Sequence, residues 1–159
     1  MIEIRRAETS ADIAQVKALW TEYWEMLGLP LSFQNFGEQL EGLPGEFAPP
    51  KGLLLLAYDE GFPAGTVAVR PIDEGSCEAK RLYVVPGFRG QGLGRKLLKT
   101  AIEMANKSGY TAMFGDTLPT MTEAAALYES LGFERIGPYS ADPTPDAIYL
   151  RLALTNGKA

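Results

Sequence analysis

Arg89-Gly90-Gln91-Gly92-Leu93-Gly94 decides how this chain is read. Ahead of it, Arg81-Leu82-Tyr83-Val84-Val85 has the β-branched and aromatic character of a strand. Behind it, Leu93, Leu97, Leu98, Ala101, Ile102 and Ala105 recur at helical spacing as far as Ser108-Gly109. A glycine-rich turn that opens a helix leaves backbone N–H groups without intrahelical partners, and the helix dipole adds positive potential there. Phosphate or pyrophosphate binds readily to such a turn. Arg89, Arg95, Lys96 and Lys99 crowd the same place in a chain whose formal net charge is −5.

Two familiar glycine motifs do not fit. A P-loop needs Gly-Lys-Ser/Thr at its end, but Gly94 is followed by Arg95, Lys96 and Leu97. A dinucleotide fingerprint counted from Gly90 and Gly92 puts Arg95 where the third glycine belongs. What remains is Arg-x-x-Gly-x-Gly on Arg89, Gly92 and Gly94, directly after a strand, and here the chain resembles the GNAT superfamily of acyl-CoA-dependent N-acyltransferases. Lys80-Arg81-Leu82-Tyr83-Val84, with Pro86 and Arg89-Gly90, is similar to that family's fourth strand and its exit. Ala124, Leu127-Tyr128 and Leu131-Gly132-Phe133 resemble its Ala-x-x-Leu-Tyr-x-x-Leu-Gly-Phe motif. Many members carry Asn seven residues before that tyrosine, where this chain has Met121.

Composition bounds the alternatives. One domain fits 159 residues, over 1–155 with a C-terminal tail at 156–159. The acidic balance argues against nucleic acid as a partner. Histidine is absent and Cys77 is the single cysteine, which removes Ser-His-Asp and Cys-His chemistry, internal disulfides and most zinc sites, so no metal is expected. No apolar run approaches the roughly 20 residues that span a membrane. The N-terminus lacks an apolar signal-peptide region, so a cytoplasmic protein is expected.

Ile2–Arg5 alternates as a first strand. Thr9 or Ser10 caps a helix with Ile13, Val16, Leu19, Trp20, Tyr23, Trp24 and Leu27 on its apolar face, and Gly28 ends it. A short helix is expected over Phe33–Leu40, then a hairpin of Leu53–Tyr58 and Gly65–Arg70, and a strand over Cys77–Val85. After the glycine-turn helix come a strand at Ala112–Asp116, a helix from Thr120 or Thr122 to Leu131, and strands near Phe133–Ile136 and Ala147–Leu154. The expected class is α+β. The resemblance implies a mixed, mostly antiparallel sheet of about six or seven strands with about four helices, strands 4 and 5 splaying apart to admit the cofactor.

The resemblance also implies a function: transfer of an acetyl group from acetyl-CoA to a primary amine by direct attack, a small-molecule acceptor being favoured. A non-catalytic acyl-CoA sensor is the alternative. The N–H groups of Gln91, Gly92, Leu93, Gly94 and Arg95 would take the pyrophosphate, the backbone of Leu82 and Val84 would pair with the pantetheine, and Tyr83, Arg89 and Gly90 complete the expected cofactor-binding set. Tyr128 matches the family tyrosine aimed at the CoA sulfur, a phenol suited to protonating a thiolate. Glu78 is the candidate base, since simple alternation puts Glu78, Lys80, Leu82 and Val84 on one strand face. Cys77 falls on the other face as packing. Acceptor-site candidates are Phe33, Gln34, Asn35, Arg81, Asp116 and Tyr139, with Tyr23, Phe36, Glu38, Thr117 and Asp142 behind them. Dimers are frequent in the family, which leaves a homodimer open.

Overall fold

The computed structural model describes residues 1–139 and 146–154. Seven strands, β1 (Ile2–Arg6), β2 (Leu53–Asp59), β3 (Phe62–Pro71), β4 (Ser76–Val84), β5 (Ala112–Thr117), β6 (Glu134–Ile136) and β7 (Ile148–Ala153), form one sheet in the order β1-β2-β3-β4-β5-β7-β6. Every adjacent pair is antiparallel except β4 and β5, which run parallel. Helices α1 (Ser10–Leu27), α2 (Phe36–Gly42), α3 (Leu93–Lys107) and α4 (Thr122–Ser130) complete it. The expected tail at 156–159 lies outside the described residues, as does Asp142.

Each face of the sheet carries its own core. Leu53, Leu55, Val67, Val69, Cys77 and Ala79 pack against Leu97, Leu98 and Ala101 of α3. On the other face, Leu54, Leu56, Ala68 and Tyr83 meet Val16, Leu19, Trp20 and Trp24 of α1. The strand alternation of β2 and β3 therefore sends successive residues to opposite cores, and both faces are dry. Thr9 caps α1 by accepting from the Asp12 N–H at 3.0 Å, and Gly28 at φ +67° closes its other end.

Two expectations are corrected. The helix expected over Phe33–Leu40 begins only at Phe36: Gln34 (φ +55°) and Asn35 (φ +56°) are left-handed, which a right-handed helix cannot accommodate. More consequential is a bulge in β4. Ala68 pairs with Lys80 and Thr66 with Tyr83, so Arg81 and Leu82 together oppose Val67, and Arg81 sits at φ +60°. One extra residue inverts the alternation beyond it. Leu82 and Val84 join the α3 core alongside Cys77 and Ala79, whereas Tyr83 faces α1. Glu78 and Lys80 therefore lie on the opposite face from Leu82 and Val84, contrary to the even alternation expected from the sequence.

Candidate active site

The glycine turn is built as its sequence demands. Gly90 (φ +84°) and Gly92 (φ +75°) occupy left-handed positions that a side chain would strain, and Gly92 is the residue before α3. No side chain caps this helix end. Lys96 N–H bonds the Gly92 carbonyl at 3.1 Å, so the N–H groups of Leu93, Gly94 and Arg95 precede the first intrahelical bond. They face a cleft of about 510 Å³ walled by Leu82, Tyr83, Val84, Arg89, Gly90, Gly92, Leu93, Gly94 and Arg95, among others. Gln91 is the residue of the turn that does not reach this wall. Arg89 folds back, donating to the Val84 carbonyl at 2.9 Å, with its guanidinium 5.7 Å from the Tyr83 ring centre. Arg95 donates to Ser130 Oγ at 2.8 Å.

The cleft borders β4 at Leu82–Val84, beyond the point where β4 and β5 part. These strands pair at Ser76–Ala112, Cys77–Met113 and Glu78–Phe114 and then separate. Tyr128 reaches this gap from α4. Its ring stands edge-on to Phe133 at 4.9 Å and packs so closely on Gly115 that an added Cβ there would lie 3.0 Å from Tyr128 Cε1. The Tyr128 hydroxyl has no hydrogen-bond partner among the described residues. Burial pushes this phenol up, so it stays protonated.

Tyr128 lines not the large cleft but a second, tighter cavity of about 50 Å³, which shares Tyr23, Leu82, Met121 and Ala124 with it. Its wall holds Phe33, Gln34, Lys80, Arg81 and Asp116. The bulge aims Arg81 here: Nη1 donates to Gln34 Oε1 at 3.0 Å and Nη2 to Gln39 Oε1 at 2.7 Å. The same guanidinium sits 4.7 Å from the Trp24 ring centre and 5.3 Å from that of Phe36, two rings stacked 4.0 Å apart. Gln34 Nε2 donates to Asp116 Oδ2 at 3.4 Å. Burial pulls Arg81 down to about 10 and pulls Lys80 below the ordinary lysine range. It pushes the Asp116 carboxyl upward, against the opposing pull of Lys80.

Four of the acceptor-site candidates, Phe33, Gln34, Arg81 and Asp116, thus converge, and Tyr23 and Thr117 join them. Asn35 is exposed and lies outside both cavities. Tyr139 sits elsewhere: it packs on Phe114 and Tyr149 and donates to Glu78 Oε2 at 2.5 Å. Glu78 is similarly occupied, with Arg70 Nε at 2.7 Å and Lys80 Nζ at 3.7 Å. Burial alone would raise its carboxyl, but Lys80, Tyr139 and Arg70 together hold it below the usual glutamate range. It lines neither cavity. Burial pushes the Cys77 thiol up to about 12, which suits packing. Sequence reasoning did not single out Lys80, Trp24 or Gln39 for the site. The sequence offered little signal for Lys80, which is one of three charged residues in β4 with Glu78 and Arg81. Among the described residues, no group of three or more His, Cys, Asp or Glu side chains is placed to hold a metal, and no helix is long and apolar enough to cross a membrane.

Comparison with known proteins gives this geometry a family. Residues 50–135 match the model of the acetyltransferase (GNAT) domain. An uncharacterised N-acetyltransferase of Schizosaccharomyces pombe is 40% identical over 156 residues, covering 97% of this chain and 96% of the relative. Among solved structures, a GNAT-family acetyltransferase from Staphylococcus aureus superposes with a TM-score of 0.83 at 18% identity, covering 97% of this chain and 99% of that one. An acetyltransferase from Salmonella typhimurium, solved with its cofactor acetyl-CoA, gives a TM-score of 0.70 at 21% identity, covering 100% and 97% of the two chains. The glycine turn before α3, the parted β4 and β5, and the tyrosine of α4 are therefore found in a chain that belongs to the GNAT acetyltransferase family.

Proposed function

We propose that this protein transfers an acetyl group from acetyl-CoA to a primary amine of a small molecule, by direct attack and within one domain spanning 1–155. The observation that carries the proposal is that the two cavities share the wall residues Tyr23, Leu82, Met121 and Ala124. The large cleft is walled by the α3 N-terminal residues, and the adjoining small cavity holds the buried phenol of Tyr128 and a polar wall that includes Asp116 of β5. The pyrophosphate would lie against the N–H groups of Leu93, Gly94 and Arg95, favoured by the helix dipole. The pantetheine would run along Leu82, Tyr83 and Val84, replacing the missing β5 partner and competing with Arg89 for the Val84 carbonyl.

In the reaction the amine lone pair attacks the thioester carbonyl, the C–N bond forms, the attacking nitrogen loses its extra proton to solvent, and the C–S bond breaks to release the CoA thiolate. Tyr128 hydrogen-bonds that sulfur and supplies its proton, which solvent restores. The ammonium must first lose a proton. Glu78 is a poor recipient, since three partners stabilise its charged form and it lies away from the cleft. Asp116 is the better one: it lines the pocket, and burial raises its carboxyl above the ordinary aspartate value. A cytoplasmic address, where acetyl-CoA is at hand, goes with this proposal.

Calorimetric titration with acetyl-CoA, free CoA and NADH tests it, followed by thiol release with amines. Micromolar binding of acetyl-CoA without response to NADH is expected. Absence of acetyl-CoA binding would remove the proposal and leave the fold.

A further inference from the structure

We propose that the small cavity at the end of the cleft takes a carboxylate, so that the acceptor is an amine bearing a carboxyl group and Arg81 is the residue that binds it. This rests on the acetyltransferase reading and names the acceptor class for the same site.

Arg81 is 7% exposed, yet no carboxylate lies within 4.0 Å of its guanidinium among the described residues. A guanidinium has five N–H donors. Two of them meet neutral glutamine oxygens, and Nε is buried with no partner. Burying a cation without its counter-ion is costly unless an anion completes the site. Arg70, one strand away, shows how this chain handles a structural arginine: it is more exposed and paired with both Glu46 and Glu78. Arg81 has neither remedy. It is also held in place at a backbone cost, in a left-handed bulge position that disfavours any residue with a Cβ. Two stacked aromatic rings and two glutamines fix the plane of its guanidinium.

The rest of the wall fits the same ligand. Lys80 adds a second cation, and its nearest carboxylate, Glu78 at 3.7 Å, is already engaged by Arg70 and Tyr139. Asp116 is the one carboxylate among the described lining residues, so two cations face one anion. Asp116 can meet an ammonium while the excess positive charge meets a carboxylate. The cavity of about 50 Å³ is several times what one water requires on that measure (about 10–15 Å³), so it admits a small ligand group. A planar guanidinium recognises a carboxylate through paired hydrogen bonds, which gives the site its selectivity.

The test compares each of the twenty common amino acids with its own α-carboxamide in a thiol-release assay with acetyl-CoA. At least one amino acid should exceed its carboxamide in kcat/KM by about 10- to 100-fold, the worth of one charge-assisted hydrogen bond. Arg81→Lys should raise KM for the acid by a similar factor, change kcat less, and bring the ratio toward one. Carboxamides or simple alkylamines used as well as the acids would overturn the proposal, and this comparison needs no variant to fold. If no acceptor reacts, wild-type protein saturated with free CoA is titrated calorimetrically with the same acids and carboxamides. Binding of an acid but not its carboxamide sustains the anion site; binding of neither, or of both alike, refutes it. Acetyl-CoA affinity, measured separately, reports the failure of the acetyltransferase reading on its own.

Discussion

Gly115→Ala should slow catalysis through Tyr128 without touching any ligand. A Cβ at residue 115 would stand 3.0 Å from Tyr128 Cε1, 3.3 Å from Cζ and 3.4 Å from the hydroxyl oxygen. The ring must therefore retreat by a few tenths of an ångström, taking the hydroxyl with it. Displacing a catalytic group by about 1 Å can cost about a hundredfold, so this shift should lower kcat by about tenfold. Overpacking would cost about 1–3 kcal/mol, offset by about 0.4–1 kcal/mol of lost unfolded-state freedom, leaving a protein that is still folded at 25 °C. The assay is thiol release at saturating acetyl-CoA in the single variants Gly115→Ala and Tyr128→Phe and in the double variant. Tyr128→Phe alone should lower kcat by about a hundredfold or more, with acetyl-CoA affinity little changed. The double variant should be no slower than Tyr128→Phe. A further tenfold loss in the double variant would refute the idea that Gly115 acts by placing the tyrosine.

Gly92→Glu should weaken acetyl-CoA binding by at least about a hundredfold, measured calorimetrically, because a carboxylate would stand at a helix end suited to phosphate; nothing lies within 4 Å of an added Cβ, so the fold should persist at the modest cost of a strained φ of +75°. Because burial raises the Tyr128 phenol, kcat should show no alkaline fall from its ionisation between about pH 7 and 10, and a fall there that Tyr128→Phe removes would contradict this. Glu78 has a folded pKa below its ordinary 4.5, so its stabilisation is present above that value and is lost as pH falls through and below it. Glu78→Gln should therefore cost about 3 kcal/mol in denaturant unfolding at pH 7, a difference that narrows below pH 4.5. Its kcat should stay within about threefold of wild type when assayed folded, and a loss of about a hundredfold would restore Glu78 as the base.

What was legible in the sequence was local. Periodicity located α1 and α3, the turn residues located the β2–β3 hairpin, and glycine spacing located the anion-binding turn, because each follows from neighbours in the chain. The bulge in β4 was not legible, since Lys80-Arg81-Leu82-Tyr83-Val84 contains no glycine to mark a left-handed residue. That single irregularity moves Leu82 and Val84 to one face and leaves Glu78 on the other, and it puts Arg81 in the wall of the small cavity. The left-handed pair Gln34 and Asn35 escaped for the same reason, although it sets Gln34 against Arg81 and turns Asn35 outward. Long-range pairings, such as Tyr139 with Glu78 across 61 residues, have no signature in spacing at all.

A crystal structure of the acetyl-CoA complex tests the central claim most directly. We expect pyrophosphate oxygens within about 3 Å of the N–H groups of Leu93, Gly94 and Arg95, and the sulfur within about 3.5–4 Å of the Tyr128 hydroxyl, between the parted β4 and β5. A cofactor seated on the other face of β4, beside Glu78, or with its sulfur far from Tyr128, would contradict it.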